Sequence, residues 1–159
     1  SEADKVNEVR TSFGTFMSAG DDEVMKRVEE RVSKWSMLPI SHQEQFYLLR
    51  YQNGQKYEAH HDYFHKNYPG MDRYIGQGQR MVTVLMYLQA PEEGGETYFP
   101  TTDPVLSVKP RKGDAVLFHD MTPNAVEDPN SLHGSAPVKS GTKWALTKWI
   151  RIAPWGDNN

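Results

Sequence analysis

Beyond residue 40 the chain has no helical hydrophobic period and becomes a series of short apolar or alternating segments separated by glycine or proline. Short runs rich in β-branched and aromatic side chains, bounded by turn residues, are typical of strands. The predicted strands are residues 45–51, 56–64, 80–88, 96–99, 106–108, 115–118, 132–138 and 142–152. Asn53-Gly54 is a hairpin turn signal between the first two. A chain of this kind must bury its apolar side chains between sheets, as in a sandwich or barrel.

One helix is predicted before these strands, at about residues 22–36. Apolar side chains recur there at close to helical spacing, at Val24, Val28, Val32 and Trp35. Asp21 and Asp22 are candidate N-caps, and Leu38-Pro39 ends the helix. Residues 6–17 are predicted to be extended. Because no repeat, low-complexity tract or linker divides the chain, we expect a single domain over residues 1–159. Its fold class is mainly β with a flanking helix, and the core is a double-stranded β-helix (jelly roll), whose mouth can take a small ligand.

The chain contains no cysteine, which excludes disulfides, thiolate metal sites and cysteine nucleophiles. Any metal site must then use histidine, carboxylate, carbonyl or water ligands. The formal net charge of -3 provides no basic field for nucleic acid, and no apolar run is long enough to cross a bilayer. We therefore expect no nucleic-acid partner and no membrane span. Because the sequence shows no obvious exposed apolar patch, we also expect a monomer.

Three possible metal ligands crowd into His60-His61-Asp62. On an extended strand, residues two apart share a face, so His60 and Asp62 can hold one ion while His61 points away. A third ligand must come from elsewhere, and His133 lies at the start of a late predicted strand. Two histidines and one carboxylate form the facial triad of non-haem iron(II) oxygenases.

Other interpretations of these histidines stay open at this point. A strand histidine is often simply hydrogen-bonded, and a His-x-Asp pair alone is weak evidence for a metal. His61 and His65 are four residues apart and would share a helical face that could bind zinc. A structural zinc domain is a further alternative, although such sites often use cysteine, which this chain lacks.

A lysine in the last predicted strand is the second functional signal. In residues 142–152 (TKWALTKWIRI), strand alternation places on one face Lys143, Ala145, Thr147, Trp149 and Arg151. The other face is mostly apolar, with Lys148 as the exception. A lysine inside a barrel is costly unless it pairs with an anion, and a small carboxylate is one candidate. The alternative is that Lys143 lies at a strand end and extends to water.

Several segments, in order, together resemble the catalytic domain of prolyl 4-hydroxylases of the plant and algal type, within the Fe(II)/2-oxoglutarate-dependent dioxygenases. They are residues 9–12 (VRTS), 54–64 (GQKYEAHHDYF), 79–80 (QR) with 82–88 (VTVLMYL), 93–97 (EGGET), 112–115 (KGDA), 131–135 (SLHGS) and 141–144 (GTKW). Lys143 follows His133 by ten residues, as the family pattern requires. The resemblance covers nearly the whole chain from Val9 onward.

The resemblance implies roles at the matching positions. It implies an iron site at His60, Asp62 and His133, and catalytic and cosubstrate binding by Lys143, which would pair with the distal carboxylate of 2-oxoglutarate. It also implies cosubstrate contacts at Tyr51, Thr97 and Thr147, and peptide contacts at Tyr57, Arg80, Trp149 and Glu44. Core packing is the alternative for Tyr51 and Trp149, and a surface ion pair is the alternative for Arg80.

The implied activity is hydroxylation of peptidyl proline to 4-hydroxyproline, coupled to conversion of 2-oxoglutarate to succinate and CO2. Fe(II) would be the cofactor, 2-oxoglutarate and O2 the cosubstrates, ascorbate the reductant, and a proline-rich peptide or protein the substrate. Alternatives are the same chemistry on a free amino acid, a lysyl side chain or a small molecule, and a non-catalytic module that binds proline-rich peptides. A plant-like enzyme would work in the endoplasmic reticulum or secretory lumen, and a bacterial or viral one in the cytoplasm.

The sequence also departs from the family pattern. Ala136 stands where relatives often have cysteine, Arg151 where they often have histidine, and His61 where an aromatic residue is more usual. The change at Arg151 places one substrate contact in doubt. Part of the family's N-terminal flank is expected to be missing. The loop over residues 64–79 is interpreted either as a lid over the peptide or as a disordered surface loop.

Overall fold

The computed structural model describes residues 9–65 and 78–156, so most of the loop predicted as a lid lies outside the described residues. The predicted helix is confirmed as α1, Glu23–Ser36, and the Asp22 carboxylate caps it by accepting from the backbone N–H groups of Val24 and Met25. Its buried face is narrower than predicted: Val28 and Val32 pack against the sheet, whereas Val24 and Trp35 are 58% and 51% exposed. None of the described helices is long and apolar enough to cross a membrane.

The strands in chain order are β1 Phe13–Met17, β2 Phe46–Tyr51, β3 Tyr57–His60, β4 Arg80–Gln89, β5 Glu93–Gly94, β6 Thr97–Phe99, β7 Leu106–Val108, β8 Ala115–His119, β9 His133–Ser135, β10 Val138–Ser140 and β11 Lys143–Arg151. Short 3-10 turns occur at Ile40–His42 and Pro129–Ser131. The major sheet has the order β1-β2-β11-β4-β8 and the minor sheet β3-β9-β6-β7, while β5 and β10 form a separate pair. This antiparallel arrangement is consistent with the predicted jelly roll.

Three details of the strand prediction are wrong. The strand expected at residues 56–64 ends at His60, so Asp62 lies just beyond it. The single strand expected at residues 132–138 is split into β9 and β10. Asn53 and Gly54 do form a turn, with Gly54 at φ +77°, but β2 and β3 belong to different sheets and do not pair. The turn chemistry is local, whereas the choice of strand partner depends on which faces are buried together. The Asn53-Gly54 turn therefore carries the chain from one sheet to the other.

The alternation predicted for β11 organises both sides of the major sheet. Ala145 and Trp149 pack with Tyr47, Leu49 and Tyr51 on one face. On the other face a second cluster forms against the helix, from Ile150, Val82, Val84 and Val32. The first face is joined to the minor sheet by hydrogen bonds from Tyr87 Oη to Thr97 Oγ1 (2.8 Å) and from Lys143 Nζ to Ser135 Oγ (2.9 Å).

Lys148, the predicted exception on the helix-facing side, is buried beneath α1 and only 1% exposed. Its Nζ lies 2.7 Å from Glu29 Oε1 of the helix and 3.8 Å from the centre of the Phe46 ring. Burial lowers the pKa of Lys148, and the Glu29 carboxylate opposes that shift. This ion pair anchors the helix to the sheet.

Glu29→Ala is expected to lower the free energy of unfolding by about 3 kcal/mol, because it leaves the Lys148 ammonium buried without its carboxylate. Urea unfolding followed by circular dichroism measures the change. Lys148→Met keeps much of the packing and removes the charge, so it should cost less, and adding it to Glu29→Ala should recover part of the loss. Strictly additive losses would contradict a coupled pair.

Candidate metal centre

His60 and His133 lie side by side on neighbouring strands of the minor sheet. They are direct register partners of β3 and β9, and their ring centroids are 4.5 Å apart. Nδ1 of His60 lies 2.8 Å from Glu58 O, and Nδ1 of His133 lies 2.9 Å from Ser131 O. A carbonyl oxygen only accepts, so each Nδ1 carries the proton and donates it. In the neutral rings, each Nε2 therefore presents a lone pair.

Asp62 follows β3 directly and completes the cluster. Its Oδ1 is 3.5 Å from His60 Nε2 and its Oδ2 is 3.6 Å from His133 Nε2, so neither contact is a good hydrogen bond. Burial alone would raise the pKa of Asp62, but His133, His60 and Arg80 outweigh burial and hold the pKa below its usual range. Burial lowers the pKa of His133 to about 4, which keeps that ring neutral.

Three acceptor atoms thus converge, one from each residue, and all lie within 4.8 Å of one another. Two imidazole nitrogens and one carboxylate oxygen match the ligand set of non-haem Fe(II) sites. In the described part of the chain, His60, Asp62 and His133 form the one group with this arrangement. The donor set therefore fits Fe(II).

Aromatic rings hold the two imidazoles in place. Tyr57 stacks on His60 with centroids 3.7 Å apart, and Phe118 lies 4.6 Å from His133. His61 is not part of the converging group: its Nε2 lies 3.3 Å from Pro129 O, although the residue borders the same cavity. Its ring meets that of His65 at 5.3 Å, but the two are not on a helix, and the described residues place no third ligand beside them. The alternative zinc pair is therefore not supported.

Lys143 is buried at the first position of β11, only 1% exposed. Its Nζ donates to Gly95 O (2.8 Å) and Ser135 Oγ (2.9 Å), and it lies 5.0 Å from the centre of the Tyr51 ring. No carboxylate forms an ion pair with it within residues 9–65 and 78–156. Burial lowers the pKa of Lys143 to about 7, while the more distant charge of Glu96 opposes that shift. Lys143 is not at an exposed strand end, so the alternative that it extends to water is wrong.

The converging acceptors and Lys143 line the same cavity of about 470 Å³. The other predicted site residues that line it are Tyr51, Tyr57, Arg80, Thr97, Thr147 and Trp149. Glu44 does not line it. It lies beside a neighbouring cavity of about 290 Å³, which Arg80 and Arg151 also border.

Glu44 is a buried carboxylate held by two guanidinium groups. Its Oε1 accepts from Arg80 Nε (2.8 Å) and Arg151 Nε (2.7 Å), and its Oε2 accepts from Arg80 Nη2 (2.9 Å). The Arg80 guanidinium carbon lies 3.7 Å from the centre of a Trp149 ring. Arg80 is therefore in a buried ion pair rather than a surface one, and Glu44 fixes its position against the cavity wall.

Three residues that the sequence did not single out also support the site. Ser135 accepts from Lys143, and Thr83 Oγ1 lies 2.8 Å from both Asp62 Oδ2 and a carboxyl oxygen of Asp120. Thr83 is the single threonine in the apolar run of residues 80–88, so the sequence could have marked it as a buried hydroxyl. No local pattern marks Asp120, because its contact to Thr83 depends on strand pairing.

The comparisons with known proteins agree with this geometry. Residues 46–151 match the family model of the 2OG-Fe(II) oxygenase superfamily, and the chain belongs to that superfamily. The superfamily implies Fe(II), 2-oxoglutarate and O2 as cofactor and cosubstrates.

Within the superfamily, the chain is similar to prolyl 4-hydroxylases. It is 45% identical to probable prolyl 4-hydroxylase 4 of Arabidopsis thaliana, and the match covers 93% of this chain and 55% of that relative. It is also 45% identical to probable prolyl 4-hydroxylase 10 of the same plant, over 91% of this chain and 54% of that relative. The viral collagen prolyl hydroxylase vCPH from Paramecium Bursaria Chlorella virus-1, solved with 2OG, matches at 31% identity and a TM-score of 0.74, covering 90% of this chain and 80% of that one. The chain spans about half the length of the curated relatives it matches. The predicted family and fold class are confirmed.

Lys143 should make stability depend on pH. Its pKa falls from the ordinary 10.5 to about 7 on folding. Between these values the unfolded chain holds a proton that the folded chain has released, so stability rises with pH. Relative to Lys143→Met, the free energy of unfolding of the unaltered protein should rise by about 1.4 kcal/mol per pH unit above pH 7. Urea unfolding at several pH values measures this slope, and a pH-independent difference between the two proteins would contradict it.

Proposed function

We propose that this chain hydroxylates peptidyl proline to 4-hydroxyproline, coupled to oxidative decarboxylation of 2-oxoglutarate to succinate and CO2. Fe(II) would be held by His60, Asp62 and His133. When bound, the iron supplies the oxygen activation that both halves of the reaction need. One observation carries the proposal: a single cavity contains three converging metal-type acceptors and a buried lysine with no carboxylate partner among the described residues.

Lys143 would bind the distal carboxylate of 2-oxoglutarate. A buried ammonium that meets only neutral oxygens is costly, and an incoming carboxylate would compensate its charge. Thr97 Oγ1 accepts from the buried Tyr87 hydroxyl, so the Thr97 hydroxyl can donate its own proton to the ligand. Burial raises the pKa of Tyr51, so its phenol stays protonated and able to donate. Thr147 lines the same cavity and would contribute another hydroxyl.

The peptide side would use the aromatic wall of the cavity. The Trp149 ring lies 5.5 Å from Tyr47 and 6.3 Å from Phe16, between ring centroids. Trp149 Nε1 is buried and has no hydrogen-bond partner among the described residues, so it would donate to a bound peptide. Grooves lined by aromatic rings suit extended proline-rich segments. Tyr57 would complete this wall beside His60.

Arg80, Glu44 and Arg151 would act together on the peptide side. Glu44 already accepts from both guanidinium groups, so we assign it to holding Arg80 against Trp149 rather than to contacting the peptide. Arg151 occupies the position at which a histidine is common in relatives, and here it is buried against Glu44. The substrate class is supported by the prolyl 4-hydroxylase names of the relatives. A monomer with ascorbate as reductant completes the proposal.

Succinate formation from 2-oxoglutarate, with Fe(II) and ascorbate, should rise when a proline-rich peptide is added. Mass spectrometry of that peptide should show one added oxygen at proline. Asp62→Ala should reduce turnover to below about 1% because it removes the anionic ligand. The exposed Asp21→Ala is the matched control and should retain full activity.

The outcomes of this assay test the oxygenase reaction and the prolyl substrate separately. Succinate formed without peptide modification would keep the oxygenase and reject the prolyl substrate. No succinate from folded, iron-loaded protein would reject the oxygenase reaction itself.

Lys143→Met should weaken 2-oxoglutarate binding at least roughly thirtyfold, because it removes the buried charge partner of the carboxylate. Isothermal titration calorimetry of the Mn(II)-loaded protein measures this affinity without turnover. Lys148→Met is the matched control, since it removes another buried lysine from the opposite face of the same strand. Equal affinities in the two variants would remove Lys143 from the cosubstrate site.

A further inference from the structure

Asp120 is a fully buried acid for which the proposed reaction has no use. It follows β8 directly and has no solvent exposure. Its backbone is fixed on both sides, since its N–H donates to Met81 O (2.9 Å) and its carbonyl accepts from Asp128 N (3.0 Å). Its Oδ2 lies 2.8 Å from Thr83 Oγ1, and its Oδ1 has no hydrogen-bond partner among the described residues. Such a costly burial calls for a physical reason.

Thr83 connects this acid to the metal centre. Its Oγ1 lies 2.8 Å from Asp62 Oδ2 as well as 2.8 Å from Asp120 Oδ2. Thr83 is register partner of Phe118, so Asp120, two residues further along, lies on the same face of the sheet. The three side chains therefore form a continuous hydrogen-bonded chain from the end of β8 through β4 to Asp62.

The direction of this chain follows from counting protons. Thr83 has one hydroxyl proton and cannot donate to both carboxyl groups. Asp62 must accept if it is to ligate a metal as an anion, so the other contact runs from a protonated Asp120 to the Thr83 oxygen. The surroundings agree, because burial raises the pKa of Asp120 well above its usual range.

We propose that Thr83 and Asp120 are positioning residues, which fix the carboxylate of the metal ligand Asp62 through the chain Asp120 O–H to Thr83 O–H to Asp62 Oδ2. The inference rests on the proposed metal site. Asp62 lies just after β3 in irregular backbone, so its own strand does not hold the side chain. Thr83 lies in the middle of β4, which pairs with β11 on one side and β8 on the other. We call the hydrogen-bonded chain Asp120–Thr83–Asp62 the relay. Because these strands hold Thr83 in place, the relay also holds the Asp62 carboxylate in place.

The relay makes Co(II) affinity depend on Thr83. Titration of the metal-free protein with Co(II), followed by visible absorption, measures both affinity and coordination geometry. Thr83→Val removes the hydroxyl at nearly constant volume and should weaken Co(II) binding about 10- to 100-fold and alter the spectrum. Thr83→Ser restores the hydroxyl and should restore both to within about threefold of the unaltered protein. A Thr83→Val protein with unaltered affinity and spectrum would overturn the relay.

Asp120 is tested with two shape-matched variants. Asp120→Asn keeps a donor for Thr83 and should bind Co(II) within about threefold of the unaltered protein, whereas Asp120→Leu loses the donor and should weaken binding by more than that. An ionised Asp120 would instead compete for the Thr83 proton, so tighter Co(II) binding by Asp120→Asn would overturn the assigned direction.

A double variant tests whether Asp120 acts only through Thr83. Thr83→Val with Asp120→Leu should bind Co(II) no more weakly than Thr83→Val alone, and additive losses would contradict the relay. Urea unfolding of each metal-free variant confirms that it is folded. The titration does not depend on turnover: a protein that makes no succinate but shows this Thr83 dependence rejects the proposed function and keeps the relay.

Discussion

The repulsion among three hydrogen-bond acceptors is the constraint on which this structure depends. When both imidazoles are neutral, two nitrogen lone pairs and a carboxylate converge within 4.8 Å, so the fold must hold three acceptors together against their mutual repulsion. The minor sheet does this by pairing His60 with His133 in direct register. Carbonyl acceptors at Glu58 and Ser131 turn both rings so that their lone pairs point inward. A cation would relieve this repulsion, and the two sheets hold the ligands in position before it binds.

Strand β11 carries three buried basic side chains, and the partner of each one distinguishes structure from function. Lys148 pairs with Glu29 of the helix, and Arg151 pairs with Glu44. Lys143 meets only a carbonyl and a hydroxyl, so its charged form would be compensated by an anion bound in the cavity. The two structural cations are stabilised by folding alone, whereas the third is stabilised fully only when an anion enters the cavity. The same strand therefore fastens the helix on one face and recognises a ligand on the other.

Local sequence patterns located the helix and most of the strands, because each leaves a periodic signal. They also marked His60, Asp62, His133 and Lys143 as candidates, but the family resemblance was needed to choose their roles among the alternatives. Strand pairing could not be predicted in this way. The Asn53-Gly54 turn gave a correct local signal, but it connects two different sheets. The position of Glu44 depends on two arginines that lie 36 and 107 residues away in the chain. Long-range charge pairs leave no local pattern, so the ion pairs that hold Arg80 could not be predicted from the sequence.

The location of Lys143 also links ligand supply to the lifetime of the protein. β11 pairs with β2 over Lys143–Thr147 and with β4 over Trp144–Arg151, so it cannot open without much of the major sheet opening as well. An anion bound at Lys143 is therefore released only by global unfolding or by leaving through the cavity. By mass action, a ligand at one hundred times its dissociation constant adds about 2.7 kcal/mol to stability. Resistance to proteases would then rise with the concentration of the bound anion.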